Sequence, residues 1–250
     1  MSDLAQPSAP LASPPTLKPE NGILLDFDVT LVDLVDRPDA VVIDPALVAL
    51  LRRLVGTFRG RIALVSGRSV AQLEQFLGKS LTGIAVVGSH GSEVQVGVRR
   101  VAPVRPPALI VAERAIQATF AQRAGVIVEV KSLGVAVHYR LAPDVEPVAR
   151  DLIERIAEEG GLAVQEGKMM IELRAAGHDK GSGIAALMAQ PPFAGTVPVF
   201  AGDDVTDEAG FAAVAELGGI GVLVGPARPT AARYRLDDVA AVRAWLGLAA

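Results

Sequence analysis

The segment that most restricts the fold is the run GILLDFDVTL at residues 22–31. Ile23–Leu25 is apolar without interruption, which is typical of a strand buried on both faces at the centre of a parallel sheet. The run continues into Asp26 and Asp28, whose side chains lean to the same side because side chains alternate along a strand. Two carboxylates this close repel each other, so they shift their pKa values or bind a cation. The alternative interpretation is a plain acidic turn at a strand end.

Strand and helix patterns alternate along much of the chain. Further apolar runs predict core strands at residues 61–65, 84–87, 197–201 and 220–224. Asp44 and Pro45, an N-cap residue and a proline suited to the first turn, predict a helix between the first two strands. This alternation is typical of a doubly wound parallel sheet with right-handed crossovers, so we expect an α/β fold.

The alternation is interrupted after residue 104. The proline-rich segment Pro103–Pro107 predicts a semi-rigid linker. An α+β unit is predicted beyond it, with helices at 108–124 and 145–159 and strands at 126–131, 135–141, 162–166 and 168–173. We therefore expect three parts, namely a disordered tail at 1–19, a core at 20–104 and 174–250, and an inserted domain at 105–173.

One face of the inserted sheet is predicted to be polar. Alternation along its strands places apolar residues on one face, which should pack on the two helices. The opposite face carries Glu129, Lys131, His138, Arg140 and Glu172. From alternation alone this face is either a binding surface or an ordinary solvated face of an antiparallel sheet.

Composition excludes several classes of protein. The net charge of −4 gives no electrostatic reason to bind nucleic acid or an anionic membrane. The chain contains no cysteine, which excludes disulfides, thiolate metal sites and a cysteine nucleophile. Its apolar runs are shorter than the roughly 18 residues that cross a bilayer, and residues 1–19 lack the basic and apolar regions of a signal peptide. We expect a monomer located in the cytoplasm.

Polar residues follow the predicted core strands at one edge of the sheet. They are Asp26, Asp28, Ser66, Asp203 and Asp204, with Asp207 shortly after. Because the carboxyl ends of parallel strands share one edge, these side chains should meet in a single cleft. Several carboxylates in one cleft require a cation, and oxygen ligands without His or Cys favour Mg²⁺. With Lys180 at a predicted helix N-terminus, this set suits phosphoryl transfer.

These motifs, taken in order, resemble the haloacid dehalogenase superfamily of phosphatases. Within it, the chain is similar to the trehalose-6-phosphate phosphatases over residues 20–248. The similar segments are SGR at 66–68, GSHG at 88–91, EVK at 129–131, VHYR at 137–140, ELR at 172–174 and GDDVTDE at 202–208. The resemblance implies a Rossmann-like haloacid dehalogenase core with an inserted α+β cap domain. It also implies a Mg²⁺-dependent phosphatase that hydrolyses trehalose 6-phosphate in trehalose biosynthesis.

The resemblance further implies roles for individual residues. Asp26 matches the nucleophile that forms an aspartyl-phosphate, and Asp28 matches the general acid that later acts as base. Mg²⁺ is expected to be bound by Asp26, the carbonyl of Asp28 and Asp203, with Asp204 and Asp207 supporting these ligands.

Other matching residues are expected to bind the substrate. Ser66 and the Gly67 N–H would hold the phosphoryl oxygens, and Lys180 would offset the negative charge. The cap residues that would hydrogen-bond the glucose ring are Glu129, Lys131 and Glu172.

Two of the residues that match the family have two interpretations each, and three others are expected to have no direct role in the site. Arg68 either binds substrate or pairs with a carboxylate, and His90 either binds substrate or shapes a glycine-rich turn. His138 and Arg140 are expected to be structural in the cap, and His178 is expected to face solvent.

The chain departs from the family at Val29, where a glycine is usual. Because a β-branched residue disfavours left-handed conformations, we expect an ordinary backbone region at Val29. We also expect activity to survive, with some change in how Asp28 is placed.

Two other functions remain open from sequence. One is a phosphatase for another sugar phosphate, such as sucrose phosphate or mannosyl-phosphoglycerate. The other is a non-catalytic relative that senses a phosphosugar or supports a partner synthase, although the expected nucleophile, acid and lysine are all present.

Overall fold

The structure, a computed structural model, describes residues 11–35, 37 and 39–249, so residues 1–10 of the predicted tail lie outside the described part. The strands are β1 Asn21–Leu25, β2 Ile62–Val65, β3 Ala85–Gly88, β4 Glu93–Val96, β5 Arg99–Val101, β6 Ile127–Val130, β7 Gly134–His138, β8 Ala163–Gly167, β9 Met170–Arg174, β10 Val197–Gly202, β11 Ile220–Val224 and β12 Tyr234–Leu236. The α-helices are α1 Pro45–Thr57, α2 Val70–Leu77, α3 Pro107–Phe120, α4 Glu146–Gly160, α5 Lys180–Met188, α6 Glu208–Glu216 and α7 Val239–Gly247.

Strand β1 lies inside an eight-stranded sheet of order β12-β11-β10-β1-β2-β3-β4-β5. The strands from β12 to β3 pair in parallel, and β4 and β5 are added antiparallel. Ile23 and Leu25 pack with α1 and α7 on one face, while Leu24 packs with α5 and α6 on the other. β1 is therefore buried on both faces, and the predicted α/β fold is confirmed.

The sequence patterns found most of the core strands but missed β12. This strand is only Tyr234–Leu236, it is partly exposed at the edge of the sheet, and its central residue is Arg235. A strand this short leaves no alternating pattern to detect. Strands β4 and β5 form a hairpin with Gly97 in its turn.

A separate antiparallel sheet of order β6-β7-β9-β8, here called the cap sheet, lies between the two parts of the core sequence. Helices α3 and α4 cover one of its faces, where Ile116 and Ile153 pack against Val135 and Val137. The opposite face carries polar residues and lines a cleft against the core. The domain limits at residues 105 and 173 stay a prediction.

Residues 11–19 correct the prediction of a disordered tail. Ala12 pairs with Tyr234 of β12, and its carbonyl accepts a hydrogen bond from the Arg235 N–H at 3.0 Å. The indole of Trp245 donates to the carbonyl of Pro15 at 2.9 Å, and Leu17 is buried in the core. The segment is rich in Pro and Ala, a composition typical of disorder, but it covers the edge strand β12 and helix α7.

Helix caps fix the helices that follow the core strands. Asp44 accepts the Leu47 N–H at 2.8 Å, as the sequence predicts, and Asp238 accepts the Ala241 N–H at 2.8 Å. Asp179 caps α5, so Lys180 is its first residue. Among the described residues, no helix combines the length and apolar character that a membrane crossing requires.

Gly91 gives the first testable prediction, because it has a φ of 95° and an added Cβ would lie 1.8 Å from the Asp179 carbonyl oxygen. We expect Gly91→Ala to lower the free energy of unfolding by about 3 kcal/mol or more, through backbone strain and overpacking. The matched control is Gly97→Ala, where φ is 60° and no atom lies within 4 Å of the added Cβ. The free energy of unfolding of Gly97→Ala should fall by only about 1 kcal/mol, because the positive φ is the only cost. Equal losses in denaturant titrations would contradict this packing.

Candidate active site

A cleft of about 220 Å³ lies between the carboxyl edge of the core sheet and the polar face of the cap sheet. It brings together most of the residues that the sequence singled out. Its lining includes Asp26, Asp28, Gly67, Arg68, His90, Glu129, Lys131, His138, Arg140, Glu172, Lys180, Asp203 and Asp204. Residues distant in sequence therefore share one concave site, as ligand-binding clefts of α/β sheets do.

Asp26 and Lys180 form the most buried charge pair of this cleft. Asp26 directly follows β1, and Lys180 Nζ donates to its Oδ1 at 2.8 Å. The same ammonium donates to Oδ1 of the fully buried Asp207 at 2.6 Å. Burial raises the pKa of Asp26 well above its usual range, Lys180 opposes this effect, and the nearby Asp207 and Asp203 add to it. One ammonium therefore does not balance the carboxylates around it.

Asp203 completes an acidic cluster with Asp26 and Asp207. One oxygen of each lies within 4.8 Å of the others. Burial raises the pKa of Asp203 to about 6, while Lys168 opposes the shift. Asp204 takes a different role, because its carboxylate accepts the Val205 N–H at 2.7 Å and so shapes the turn after β10.

Arg68 pairs with Asp28, which is one of the two interpretations left open by the sequence. Its Nε donates to Asp28 Oδ2 at 2.8 Å and its Nη2 donates to Oδ1 at 2.7 Å. The guanidinium also lies 4.9 Å from the ring centroid of Phe76. This two-point contact orients the Asp28 carboxylate, since a planar guanidinium matches both of its oxygens.

The turns after β2 and β3 pack against each other. Ser66 is fully buried and its Oγ accepts the Arg68 N–H at 3.1 Å. An added Cβ at Gly67 would lie 2.6 Å from the His90 ring, so only glycine lets the two turns approach this closely. His90 itself has a φ of 52°, and its Nε2 lies 3.7 Å from Glu172 Oε2.

The polar face of the cap sheet carries a buried ion pair. Lys131 Nζ donates to Glu172 Oε2 at 2.5 Å. Burial raises the pKa of Glu172, but Lys131 and His90 outweigh it and lower that pKa to about 2. Burial lowers the pKa of His90, which therefore favours the neutral ring.

Glu129 lies beside this pair and also contacts the core. It contacts His138 Nε2 at 2.8 Å and accepts from Gln72 Nε2 of α2 at 2.5 Å. The first contact agrees with the structural role expected for His138. Arg140 also lines the cleft, and its Nη2 donates to the Lys168 carbonyl at 3.3 Å. His178, expected to face solvent, is partly buried, and its carbonyl accepts a hydrogen bond from Arg174 at 2.6 Å.

Lys168 and Gln72 are residues of the cleft region that the sequence analysis missed. Lys168 Nζ donates to Asp203 Oδ2 at 3.1 Å and so joins the cap sheet to the acidic cluster. The sequence patterns place Lys168 at the start of a strand, but it lies in the turn between β8 and β9. No pattern marks Gln72, because its partner Glu129 is distant in sequence.

Val29 corrects the expectation of an ordinary backbone region. Its φ is 58°, in the left-handed region. The turn requires this, because the Val29 N–H donates to the Val32 carbonyl at 2.8 Å and the Leu31 N–H donates to the Phe27 carbonyl at 2.9 Å. The tight turn after Asp28 therefore overrides the preference of a β-branched side chain, at a cost of roughly 1–2 kcal/mol.

Comparison with known proteins shows the family to which the chain belongs. The sequence profile described as trehalose-phosphatase matches residues 24–240. The chain belongs to the trehalose-phosphatase family. A probable trehalose-phosphate phosphatase of Sinorhizobium fredii is 39% identical over 231 residues, covering 91% of this chain and 86% of the relative. The trehalose-6-phosphate phosphatase of Escherichia coli is 37% identical over 240 residues, covering 95% and 89%.

Solved structures agree with membership in the trehalose-phosphatase family. A trehalose-6-phosphate phosphatase related protein superposes with a TM-score of 0.75 at 31% identity, covering 90% of this chain and 95% of that one. A haloacid dehalogenase superfamily phosphatase from Bacteroides thetaiotaomicron gives a TM-score of 0.63 at 15% identity, covering 99% and 100%, which shows the shared fold. The chain is thus an enzyme of the phosphomonoester hydrolase class.

The Lys131–Glu172 pair predicts a pH dependence of stability. The pKa of Glu172 falls from 4.5 to about 2 on folding, so its contribution is complete above pH 4.5 and is lost as the pH falls toward 2. Glu172→Gln should lower the free energy of unfolding by on the order of 3 kcal/mol at pH 7. The difference in unfolding free energy between this variant and wild type should become smaller from pH 5 to pH 3. Denaturant titrations across this range measure it. Glu166→Gln, at an exposed carboxylate, should change the free energy of unfolding little. If the loss of stability in Glu172→Gln does not vary with pH, the predicted dependence on the ionisation of Glu172 is wrong.

The strained turn at Val29 predicts a stabilising substitution. Val29→Gly should raise the free energy of unfolding by about 1 kcal/mol, because glycine adopts the left-handed region without strain. Val42→Gly is the matched control, because Val42 is exposed and has no positive φ. The free energy of unfolding of Val42→Gly should fall by about 0.5 kcal/mol, because glycine makes the unfolded chain more flexible. Loss of stability in both variants, measured by chemical denaturation, would argue against strain at Val29.

Proposed function

We propose that this enzyme hydrolyses trehalose 6-phosphate to trehalose and phosphate through an aspartyl-phosphate on Asp26. The observation that carries the proposal is the shared cleft, where Asp26 and Lys180 on the core face Glu129, Lys131 and Glu172 on the cap sheet. The core groups suit a phosphoryl group and the cap groups suit sugar hydroxyls. Relatives named as trehalose-phosphate phosphatases support this substrate.

The first chemical step forms a bond between a carboxylate oxygen of Asp26 and phosphorus. The bond from phosphorus to the sugar oxygen breaks, and Asp28 gives that oxygen a proton. Arg68 engages both oxygens of Asp28 in this structure. Each carboxylate oxygen has two lone pairs, so Asp28 is able to hold the transferred proton while it stays oriented by Arg68.

The second step hydrolyses the aspartyl-phosphate. A water molecule attacks phosphorus, Asp28 takes the proton of that water, and the Asp26 carboxylate is the leaving group. Lys180 Nζ contacts Asp26 Oδ1, so its charge offsets the negative charge that returns to the Asp26 carboxylate as it leaves. Ser66, the Gly67 N–H, Arg68 and His90 are proposed to hold the phosphoryl group and the adjoining sugar.

The acidic cluster fits a magnesium ion. Its donors are carboxylate oxygens, and the raised pKa values of Asp26 and Asp203 mark a deficit of positive charge. We propose that Asp26, the carbonyl of Asp28 and Asp203 hold Mg²⁺. Asp204 and Asp207 support them, because the Asp204 N–H donates to Asp207 Oδ2 at 2.9 Å and both shape the same turn. When bound, Mg²⁺ supplies positive charge to the nucleophile and the phosphoryl oxygens.

Sugar recognition is assigned to the buried groups of the cap sheet. Glu129, Lys131 and Glu172 offer carboxylate acceptors and an ammonium donor, which together match hydroxyl groups of a glucose ring. We further propose that a monomer is sufficient for activity.

A substrate panel tests the proposal. We expect phosphate release from trehalose 6-phosphate in Mg²⁺ and only background release in EDTA. The cap groups are proposed to bind the glucose ring away from the phosphate. Glucose 6-phosphate, which has no second ring, and sucrose 6-phosphate, which has a fructose ring there, should therefore react much more slowly. Asp26→Asn, checked for folding by circular dichroism, is the control and should show background release only.

Each other outcome of the panel is decisive. Faster release from glucose 6-phosphate or sucrose 6-phosphate would keep the core chemistry and refute the substrate. Background release from all of them by the folded wild-type protein would refute the enzymatic proposal and favour a phosphosugar-binding role. Full activity of Asp26→Asn would refute Asp26 as nucleophile.

A further inference from the structure

The turn between β6 and β7, residues 131–133, lies at the end of the cap sheet where the chain enters and leaves it. Arg105, on the entering segment, donates to the carbonyls of Lys131 and Ser132, the latter at 2.7 Å. Ala175, on the leaving segment, donates its N–H to the carbonyl of Leu133 at 2.9 Å. We call this turn the hinge turn, because both connections between the two sheets contact it.

Glu93, the first residue of β4, contacts the hinge turn from the core. It is fully buried, and the proposed chemistry does not use it. Its Oε2 accepts the Val70 N–H at 2.9 Å and Arg100 Nη2 at 2.9 Å. Its Oε1 accepts Ser89 Oγ at 3.1 Å and also Ser132 Oγ of the hinge turn. One carboxylate thus joins α2, the turn after β3 and the cap sheet.

The partners of Glu93 adjoin residues proposed to bind substrate. Ser89 precedes His90, and Ser132 follows Lys131. Val70 begins α2, shortly after the turn that contains Gly67 and Arg68. Ser89 has a φ of 48°, so its hydrogen bond to Glu93 helps to hold a strained turn. A shift of Glu93 would therefore move the phosphate side and the sugar side of the cleft relative to each other.

We propose that Glu93 and Ser132 are positioning residues that seat the hinge turn on the core and so set where Lys131 lies over the phosphate-binding turns. This inference rests on the proposed function. In the cap sheet, Gly134 pairs with Arg174 near the hinge turn, whereas His138 pairs with Met170 at the far end. In a rigid rotation the hinge end moves least. A contact at the hinge end therefore restricts such a rotation less by distance than by anchoring its axis, whereas the contact of Lys168 with Asp203 lies at the far end.

Kinetics of Ser132→Ala in the full-length protein test this positioning role. The change removes the hydroxyl that reaches Glu93 and leaves Glu93 with its core donors. We expect kcat/KM for trehalose 6-phosphate to fall about tenfold, the size of one hydrogen bond to a charged group, mainly through KM. Hydrolysis of p-nitrophenyl phosphate, which has no sugar, should fall less than about threefold, because it does not depend on Lys131.

Two control variants separate positioning from general damage. Ser132→Thr keeps a hydroxyl and should restore kcat/KM for trehalose 6-phosphate to within about twofold of wild type. Thr119→Ala removes a hydroxyl from the exposed surface of α3 that donates to the Ala115 carbonyl of the same helix, and this variant should behave as wild type. An equal loss with both substrates, or no rescue by Ser132→Thr, would overturn the positioning role.

Amide hydrogen exchange provides a second readout that needs no turnover. Ser132→Ala should speed exchange across residues 127–138, because the hinge turn loses its attachment to the core, and Ser132→Thr should not. Unchanged exchange in Ser132→Ala would overturn the inference. If wild type fails to hydrolyse trehalose 6-phosphate, the proposed function fails, and the exchange experiment still decides whether Ser132 seats the hinge turn.

Discussion

The ammonium of Lys180, held between Asp26 and Asp207, is the charge on which the carboxyl edge of the sheet depends. All three groups are nearly or fully buried, and a buried carboxylate without a partner is costly. Local structure places the lysine, because Asp179 caps α5 and makes Lys180 its first residue. The carboxylates of the cluster still exceed this one charge, which is the basis of the proposed Mg²⁺ site.

The cap sheet balances its charges in a different way. Lys131 and Glu172 neutralise each other, and Glu129 is engaged by His138 and Gln72. These groups remain buried beside the cleft with hydrogen-bonding capacity left for hydroxyl groups. With the proposed cation bound, the core would supply the positive charge that a phosphoryl group requires, and the cap sheet has paired polar groups that suit the hydroxyl groups of a neutral sugar. This division agrees with membership in the trehalose-phosphatase family.

Sequence reasoning found the core because its signals are local. The apolar run before Asp26 and the Asp44-Pro45 cap are confirmed as a central strand and a helix start. The same reasoning erred where tertiary contacts decide the structure. Residues 11–19 look disordered by composition but pack on β12 and α7, and Val29 is forced into the left-handed region by its turn. The contacts of Lys168 with Asp203 and of Gln72 with Glu129 join distant segments, so no local pattern predicts them.

The most direct test of the proposed chemistry is a search for phosphoryl-enzyme during turnover. Protein quenched in acid while hydrolysing trehalose 6-phosphate should carry the mass of one phosphoryl group, located by peptide mapping at Asp26. Asp26→Asn treated in the same way should carry none. A phosphoryl group on another residue, or none at any quench time in an enzyme that releases phosphate, would contradict nucleophilic attack by Asp26.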